Sequence, residues 1–414
     1  MKRITFSLLS ILIFLAVGCG EKEPVNPDPQ PESTDLQVEG QRLYTTANAH
    51  KMALASSLLG KKDYNEMLIW LDNTYNTFWH DTLVALYVSY PSADPFGNAI
   101  RLSGCIYLNK AILDGRQQAQ GLIVGNHYTI AANKQCPSKA LQMESLFAIS
   151  GYIVCMADYY GFGSSVSHPQ AYMHDQANAQ ASIDLLRCFQ QYMLEHNILA
   201  GNKLMNVGYS QGGGVSVSVQ KYADSHPELG IAIDTTYAGA GPYDVAELCK
   251  YLIAYDQIDS PVSVALVIVG MNHAEQLGLD LNAIFKEPLR SHYEEWLISK
   301  QYTMDQVMGL LGQPSRVSDI FTQAILDTTS SNYQTLLSAL YRNSLTHGWT
   351  PNANDHIFLF HSTQDNYVNI LNMHRLVGFF QGCGFANYET RTGNFGSHSD
   401  AALNFYPMVF DRIN

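Results

Sequence analysis

The strongest chemical signal in the sequence is a serine at the centre of the pentapeptide Gly208 to Gly212, Gly-Tyr-Ser-Gln-Gly. The pentapeptide follows an apolar, strand-like run and precedes a stretch with helical spacing, which is the context that a G-x-S-x-G turn requires. A sharp turn of this kind pushes the serine side chain out of the sheet, and the flanking glycines let the backbone pack closely enough to form it. Free N–H groups at the start of the helix would face negative charge that develops near Ser210. The pattern predicts a nucleophilic serine, and the alternative is a plain glycine-rich loop.

With this turn in place, the chain resembles the α/β-hydrolase superfamily, and within it the bacterial esterases and secreted lipases that carry a Gly-Tyr-Ser-x-Gly turn. The resemblance implies an α/β fold with a mostly parallel central sheet flanked by helices. It also implies that an acid and a histidine follow the serine in chain order. The reaction it implies is hydrolysis of carboxylic esters through a Ser-His-Asp triad and an acyl-enzyme intermediate, without a cofactor.

Asp365 is the best candidate for the acid downstream of Ser210. It lies just past the carboxyl end of the strand-like run His356–Phe360, and that end is where such a sheet presents its site. Asp355 lies at the opposite end of the same run and is more simply a turn residue. The alternative role for Asp365 is an N-cap of the helical run that follows it.

Two histidines follow Asp365 in the chain. His374 falls within a helical run, where a histidine is most often a surface or packing residue. His398 lies in a glycine-bearing loop that follows a strand-like run and precedes a helix. Because a loop can bring an imidazole over the sheet edge to both Ser210 and Asp365, His398 is expected to be the base.

Acyl transfer also needs N–H donors that hold the oxyanion. The main chain of Gln211, directly after the nucleophile, is expected to supply one of them. By the family pattern the second comes from the loop after the third strand, which here reads Gly-Asn-His-Tyr-Thr over residues 125–129. Many relatives carry His-Gly at this turn, so the departure leaves the main chains of His127 and Tyr128 as the two candidates.

Composition and charge exclude several classes of protein. The chain has 414 residues, of which 46% are hydrophobic and 11% aromatic, so it is too apolar for a disordered protein. It carries 24 Lys and Arg against 37 Asp and Glu and has no basic cluster, so no nucleic acid is expected as a partner. The 14 histidines form no H-E-x-x-H motif and no close cluster with aspartates, so no metal site is expected.

The first residues have the order of an export signal, because Lys2 and Arg3 precede an apolar stretch that is too short for a membrane span. The stretch ends in Leu-Ala-Val-Gly-Cys19, which resembles the bacterial lipobox. The resemblance implies a signal peptide over residues 1–18 and a lipid on Cys19 that anchors the protein in the envelope bilayer, at the outer membrane and facing the surface. Residues 19–35 are rich in proline and acids and predict an extended spacer. The alternative is an ordinary cleaved signal with an incidental cysteine.

The elements that must position the site are visible as alternating patterns in residues 36–414, which predict one hydrolase domain. Residues 36–71 read as mostly helical, and runs 84–90 and 100–108 predict a hairpin. Further apolar runs alternate with helical stretches, which implies a parallel sheet covered on both faces. These strand-like runs are 121–125, 152–157, 204–207, 231–237 and 357–360.

Between about 243 and 350 only helical patterns appear, so this segment is expected to be a helical insertion that caps the site. Six cysteines follow Cys19 without a C-x-x-C pair, and their pairing stays open.

Three functions are compatible with these features. The favoured one is an esterase or lipase that acts on a small-molecule or glycan-linked ester. A peptidase of the same superfamily would use identical machinery, but no anchor for a substrate amino terminus is recognisable. A non-catalytic surface lipoprotein on the same scaffold predicts that a member of the triad is missing, whereas the sequence supplies Ser210, Asp365 and His398.

Overall fold

A computed structural model describes residues 35–45, 48, 49, 51, 65–71 and 82–413. The predicted signal peptide, Cys19 and nearly all of the predicted spacer lie outside these residues. Among the described helices, none combines the length and the apolar character needed to cross a membrane. All six cysteines after Cys19 lie in the described part, and each of them is a free thiol.

A nine-stranded mixed sheet forms the centre of the described protein. Its strands are β1 (Gln37–Thr45), β2 (Thr82–Ala93), β3 (Ala99–Asn109), β4 (Ala119–Asn126), β5 (Ile153–Ala157), β6 (Ala200–Tyr209), β7 (Thr235–Gly239), β8 (Ile357–Ser362) and β9 (Tyr388–Gly393). Their order across the sheet is β1-β2-β3-β5-β4-β6-β7-β8-β9. Neighbouring strands pair antiparallel along β1-β2-β3-β5 and parallel along β5-β4-β6-β7-β8-β9. The parallel strands therefore end at one common edge.

Helices connect the strands and cover the sheet. The α-helices of the described residues 82–413 are α1 (Lys110–Leu113), α2 (Asp175–His196), α3 (Gln211–Ser225), α4 (Val245–Tyr255), α5 (Pro261–Ala274), α6 (Leu281–Ile284), α7 (Leu289–Tyr293), α8 (Met304–Leu310), α9 (Val317–Ile320), α10 (Gln323–Leu326), α11 (Ser331–Arg342), α12 (Leu371–Gly382) and α13 (His398–Ile413). Short 3-10 segments span Asn133–Gln135, Met143–Ser150, Gly163–Ser165 and Pro227–Leu229, and a π-helical turn spans Glu294–Ile298. Residues 65–71 are also helical.

The inner strands are apolar throughout because both faces of the sheet are covered. In β4, Ile123 belongs to one core cluster, whereas Leu122 and Val124 belong to another on the opposite face. The cluster of Ile123 includes residues of α13 and of Met143–Ser150, and the opposite cluster includes residues of α2 and α3. This two-sided burial confirms the predicted layer order.

The predicted hairpin is confirmed, because β2 and β3 pair antiparallel over their whole length. The helical expectation for residues 36–71 is wrong at its start, where β1 pairs antiparallel with β2. Of the nine residues of β1, only Tyr44 is buried, so this edge strand carries almost no apolar alternation. Main-chain hydrogen bonds to β2 hold it in place, and a pattern of side chains cannot reveal such bonds.

Every described element between β7 and β8 is helical, from α4 to α11. These helices share an apolar cluster of their own, built around residues such as Val262, Leu266 and Phe285. Because β7 and β8 are neighbouring parallel strands, the segment leaves the sheet at the carboxyl end of β7 and returns at the opposite edge, where β8 begins. We call residues 243–350 the helical insertion.

A buried carboxyl group connects α13 to the 3-10 segment Met143–Ser150. Glu144 is fully buried, and its Oε1 accepts a hydrogen bond of 2.7 Å from the Tyr406 hydroxyl. Its Oε2 has no hydrogen-bond partner among the described residues. Burial disfavours the charged form and raises the pKa of Glu144 from its ordinary 4.5 to about 7.

This raised pKa predicts that the protein loses stability as the pH rises. The folded state keeps the proton of Glu144 longer than the unfolded state, so the contribution is complete below the unfolded pKa of 4.5 and disappears as the pH passes about 7. The Glu144→Gln variant keeps an acceptor for Tyr406 but cannot ionise, so it should avoid ~2 kcal/mol of the loss between pH 5 and pH 8. Urea unfolding at the two pH values measures the difference. The exposed Glu195→Gln is the control, and equal pH dependence of Glu144→Gln and wild type would contradict the assignment.

Candidate active site

Ser210 occupies the sharp turn between the end of β6 and the start of α3. Its φ of 59° is a strained value for a residue with a side chain, and its N–H donates to Gly239 O at 2.8 Å. A Cβ at Gly208 would lie 2.3 Å from Gly212 O, and a Cβ at Gly212 would lie 2.0 Å from Asn126 O. The glycines on both sides of Ser210 are therefore required by close backbone packing, as the sequence pattern predicts.

The His398 ring lies between the serine and the acid. Its Nε2 is 2.8 Å from Ser210 Oγ, and its Nδ1 is 2.7 Å from Asp365 Oδ2. A carboxylate only accepts hydrogen bonds, so Nδ1–H donates to Asp365 and Nε2 accepts from the serine hydroxyl. His398 is the first residue of α13 and not a residue of the preceding loop, and its side chain is buried. His374 is exposed on α12.

Asp365 follows the end of β8 by three residues and has a fully buried side chain. Its Oδ1 accepts the N–H groups of Tyr367 at 2.9 Å and Val368 at 2.8 Å. Its Oδ2 faces His398. The carboxylate contacts the imidazole and closes the turn that follows it. It is not the N-cap of α12, because that helix begins at Leu371 and its N-cap is Ile370.

A second histidine, which the sequence did not single out, also contacts the acid. His361 is fully buried in β8, with its Nε2 2.8 Å from Val368 O and 3.4 Å from Asp365 Oδ2. Burial alone would raise the pKa of Asp365, but His398 and His361 outweigh it and hold that pKa well below its usual range. The sequence does show a histidine four positions before Asp365. It was not recognised as a partner of the acid because His361 also fits the pattern of a buried strand.

Gln211 and the loop after β4 are the two predicted sources of oxyanion donors. Gln211 begins α3 and lines the cavity in front of the serine. Of the loop after β4, Thr129 lines that cavity, whereas His127 and Tyr128 are not among the described residues that line it. The buried His127 ring donates from Nδ1 to Tyr128 O at 2.7 Å and stacks on Tyr159 at 4.1 Å. The side chain of His127 therefore shapes the loop, and Thr129 is a cavity residue that sequence reasoning missed.

The cavity holds about 1060 Å³, including its open mouth, and extends from Ser210 into the helical insertion. Its lining is mainly apolar. The apolar lining residues are Tyr172, Met173, Pro242, Val245, Leu248, Cys249, Leu252, Val264, Val267, Met304, Tyr367 and Val368. One carboxylate, that of Asp305 at the start of α8, is also part of the wall.

Two helices of the insertion each contribute one stripe of side chains to the wall of this cavity. The lining residues of α4 are spaced one and two turns apart on one helix face, at positions 245, 248, 249 and 252. Those at the start of α5 repeat the same spacing at 260, 263, 264 and 267. Seven positions of a helix span about 10 Å, which sets the length of the two walls.

No group of three or more His, Cys, Asp and Glu side chains in the described ranges is arranged to hold a metal ion. The candidate site combines a hydroxyl, an imidazole, a carboxylate and main-chain donors. This set can carry out nucleophilic and general base chemistry.

Comparison with solved structures places the fold among hydrolases. The chain is similar to the rice cell wall degrading esterase LipA from Xanthomonas oryzae, with 20% identity, a TM-score of 0.72, and coverage of 92% of this chain and 96% of that one. It is also similar to Candida antarctica lipase A, with 14% identity, a TM-score of 0.55, and coverage of 79% and 74%. At these identities the similarities concern the fold, and they confirm the predicted α/β-hydrolase architecture.

Two comparisons of the sequence, with curated proteins and with models of protein families, bear on the family of the chain. No curated protein matches the sequence. The model of the secretory lipase family matches residues 134–413, which include the turn at Ser210, the helical insertion, Asp365 after β8 and His398 at the start of α13. Since this match covers more than half of the chain, the protein belongs to the secretory lipase family.

Proposed function

We propose that the protein hydrolyses carboxylic esters by transferring the acyl group first to Ser210 and then to water. Membership of a lipase family supports ester hydrolysis as the reaction. The role of Ser210 as the nucleophile is supported by the two short hydrogen bonds that join Ser210 Oγ to the His398 ring and the ring to Asp365. A serine hydroxyl becomes a useful nucleophile only when a base of this kind can take its proton.

In the first half of the reaction, Ser210 Oγ attacks the ester carbonyl carbon while His398 Nε2 takes the hydroxyl proton. The ionised Asp365 stabilises the imidazolium that forms and keeps the ring in the required tautomer. The tetrahedral intermediate collapses when the C–O bond to the alcohol breaks, and His398 returns the proton to the leaving oxygen. The acyl group is then an ester of Ser210.

Water completes the cycle in the second half. His398 takes a proton from the water as its oxygen attacks the acyl carbon, and Ser210 leaves with that proton as the acid product forms. The Gln211 main-chain N–H at the start of α3 supports the negative oxygen in both halves. We assign the second donor to the main chain of the loop that holds His127, Tyr128 and Thr129, of which Thr129 lines the cavity.

The cavity supports a neutral, apolar acyl group as the substrate. Walls of about 10 Å accommodate an extended alkyl chain of roughly eight carbons, because such a chain advances about 1.25 Å per carbon given a bond length near 1.5 Å and an angle near 111°. The Asp305 carboxylate in the wall disfavours an acyl group with its own negative charge. We propose that the helical insertion acts as the cap of this site, since it supplies both apolar walls.

We also propose that the mature chain is attached to the envelope membrane through a lipid on Cys19. The family description, secretory lipase, supports a location outside the cytoplasm. The lipobox-like segment before Cys19 and the proline-rich spacer after it support an anchor followed by a stalk.

Removal of the nucleophile tests the proposed reaction. Ser210→Ala should lower kcat on p-nitrophenyl butyrate by at least about 10⁴-fold, since no other group can form the acyl ester. A panel of p-nitrophenyl esters of rising chain length should show an optimum near eight carbons, and hemisuccinate esters should react poorly. The exposed Ser164→Ala is the control and should keep full activity. Retention of esterase activity by Ser210→Ala would end the proposal.

The second histidine near the acid gives a further test. His361→Phe keeps a ring of similar size but removes the N–H that faces Asp365, so the carboxylate loses part of its stabilisation and holds His398 less firmly. We expect kcat to fall about tenfold, or ~1.4 kcal/mol of transition-state stabilisation. His374→Phe changes an exposed histidine on α12 and should leave the kinetics unchanged. Equal kinetics for the two variants would show that His361 only fills space.

The anchor is tested by metabolic labelling with an alkyne-bearing fatty acid. The wild-type chain should carry the label and sediment with membranes, because a lipid chain gains free energy for each buried CH₂ group. Cys19→Ser should lose both properties. Cys383→Ser, which removes another thiol, should behave like the wild type, and an unlabelled wild-type chain would argue for an ordinary cleaved signal.

A further inference from the structure

The main chain of His398 is held on both sides by neighbours of the two other proposed triad members. The Tyr209 hydroxyl, one residue before Ser210, donates to His398 O at 2.6 Å. The His398 N–H donates to Asn366 Oδ1 at 3.0 Å, and Asn366 directly follows Asp365. Together the two bonds fix the peptide groups on either side of the His398 Cα, and so the direction in which its ring leaves the backbone.

The other end of the Asn366 amide reaches into the helical insertion. Its Nδ2 donates to the Asp259 carboxylate. Asp259 directly precedes Ser260, the N-cap residue of α5, and α5 forms one wall of the cavity. A single planar amide therefore connects the cavity wall to the backbone of the histidine.

An amide suits this position because each of its two ends has a different partner. The oxygen can only accept, which the His398 N–H requires, and the nitrogen can only donate, which the Asp259 carboxylate requires. An aspartate at position 366 would keep the first bond but would place a carboxylate against Asp259, and like charges in contact repel. An apolar residue would lose both bonds.

We propose that Asn366 is a positioning residue that couples the helical insertion to the His398 imidazole. The proposal rests on the proposed function, in which that imidazole is the base. When the wall that begins at Asp259 is seated, Asn366 holds the His398 N–H in line. When the wall is displaced, the histidine loses one of its two backbone supports. Because a misplacement of about 1 Å can cost roughly a hundredfold in rate, a modest change in this support affects turnover.

A purely structural role for this contact predicts a different result. Asn366 and Asp259 are both exposed, so the bond between them adds little to the stability of the fold. Its loss should leave the melting temperature nearly unchanged. An effect on kcat without an effect on melting is therefore the mark of positioning.

An exchange of the two side chains tests the coupling. We compare wild type, Asn366→Asp, Asp259→Asn and the double variant for kcat and KM on p-nitrophenyl butyrate and for melting temperature. Asn366→Asp should lower kcat about tenfold with KM changed less than about twofold. Asp259→Asn keeps an acceptor oxygen and should stay within about threefold of wild type. The double variant should recover to within about threefold, because the exchanged pair again offers an acceptor to His398 and a donor across the contact.

Asn369→Asp is the matched control. It adds the same charge three residues further along, where its Oδ1 accepts the Leu371 N–H. It should keep the kcat of wild type, which separates positioning from a general effect of negative charge. A double variant no better than Asn366→Asp, or Asn366→Asp with the kcat of wild type, overturns the proposal.

A readout independent of turnover separates this proposal from the proposed function. The downfield proton resonance of His398 Nδ1–H reports the hydrogen bond to Asp365. It should move in Asn366→Asp and return in the double variant. An inactive wild type with this pattern would contradict the esterase and leave the coupling intact. If the wild type is active and Asn366→Asp has the same resonance and the same kcat, the coupling is overturned and the esterase proposal is not.

Discussion

The hydrogen bond between Ser210 Oγ and His398 Nε2 is the contact on which the rest of the site depends. It joins two residues 188 positions apart in the chain. Ser210 follows β6 and His398 follows β9, so the bond forms only if these two strands end at the same edge of the sheet. The parallel order β6-β7-β8-β9 meets that requirement. The strained backbone of Ser210 and the crowded glycines around it then aim the hydroxyl at the ring. The bond from the Ser210 N–H to Gly239 O at the end of β7 helps to hold this strained turn.

The charge of Asp365 supports the contact between Ser210 and His398. A buried carboxylate is costly by itself, and Asp365 is stabilised by two main-chain N–H groups, by His398 and by His361. An ionised Asp365 holds the His398 proton on Nδ1, which leaves Nε2 free to accept from the serine. In the proposed mechanism, the groups that stabilise the Asp365 carboxylate therefore also set the tautomer of His398.

How much of this was predictable follows from where each interaction lies in the chain. The turn at Ser210 is local, since a strand, five residues and the start of a helix specify it. Asp365 was predicted from its place just after a strand-like run. His398 was predicted from its place in a glycine-bearing segment, and the structure makes it the first residue of the helix that follows. The roles of His361 and Asn366 depend on what the β8 strand and the following turn face in three dimensions, and one of those partners, Asp259, belongs to the helical insertion. No spacing rule connects such residues.

The same distinction explains the errors in the fold. The core strands are recognisable in the sequence as continuous apolar runs, because both of their faces are buried. The edge strand β1 is polar on nearly all positions and exists through its main-chain bonds to β2, so its sequence looked helical. In the loop after β4, composition could not tell which of three successive residues reaches the cavity, and the structure gives Thr129 that position.

Site mapping of a covalent adduct tests the central claim most directly. The folded protein is treated with a fluorophosphonate, digested, and analysed by mass spectrometry. We expect a single adduct on Ser210, whose rate of formation falls sharply in His398→Ala. An adduct on another residue, or an unmodified Ser210 in a protein that still hydrolyses esters, would contradict it.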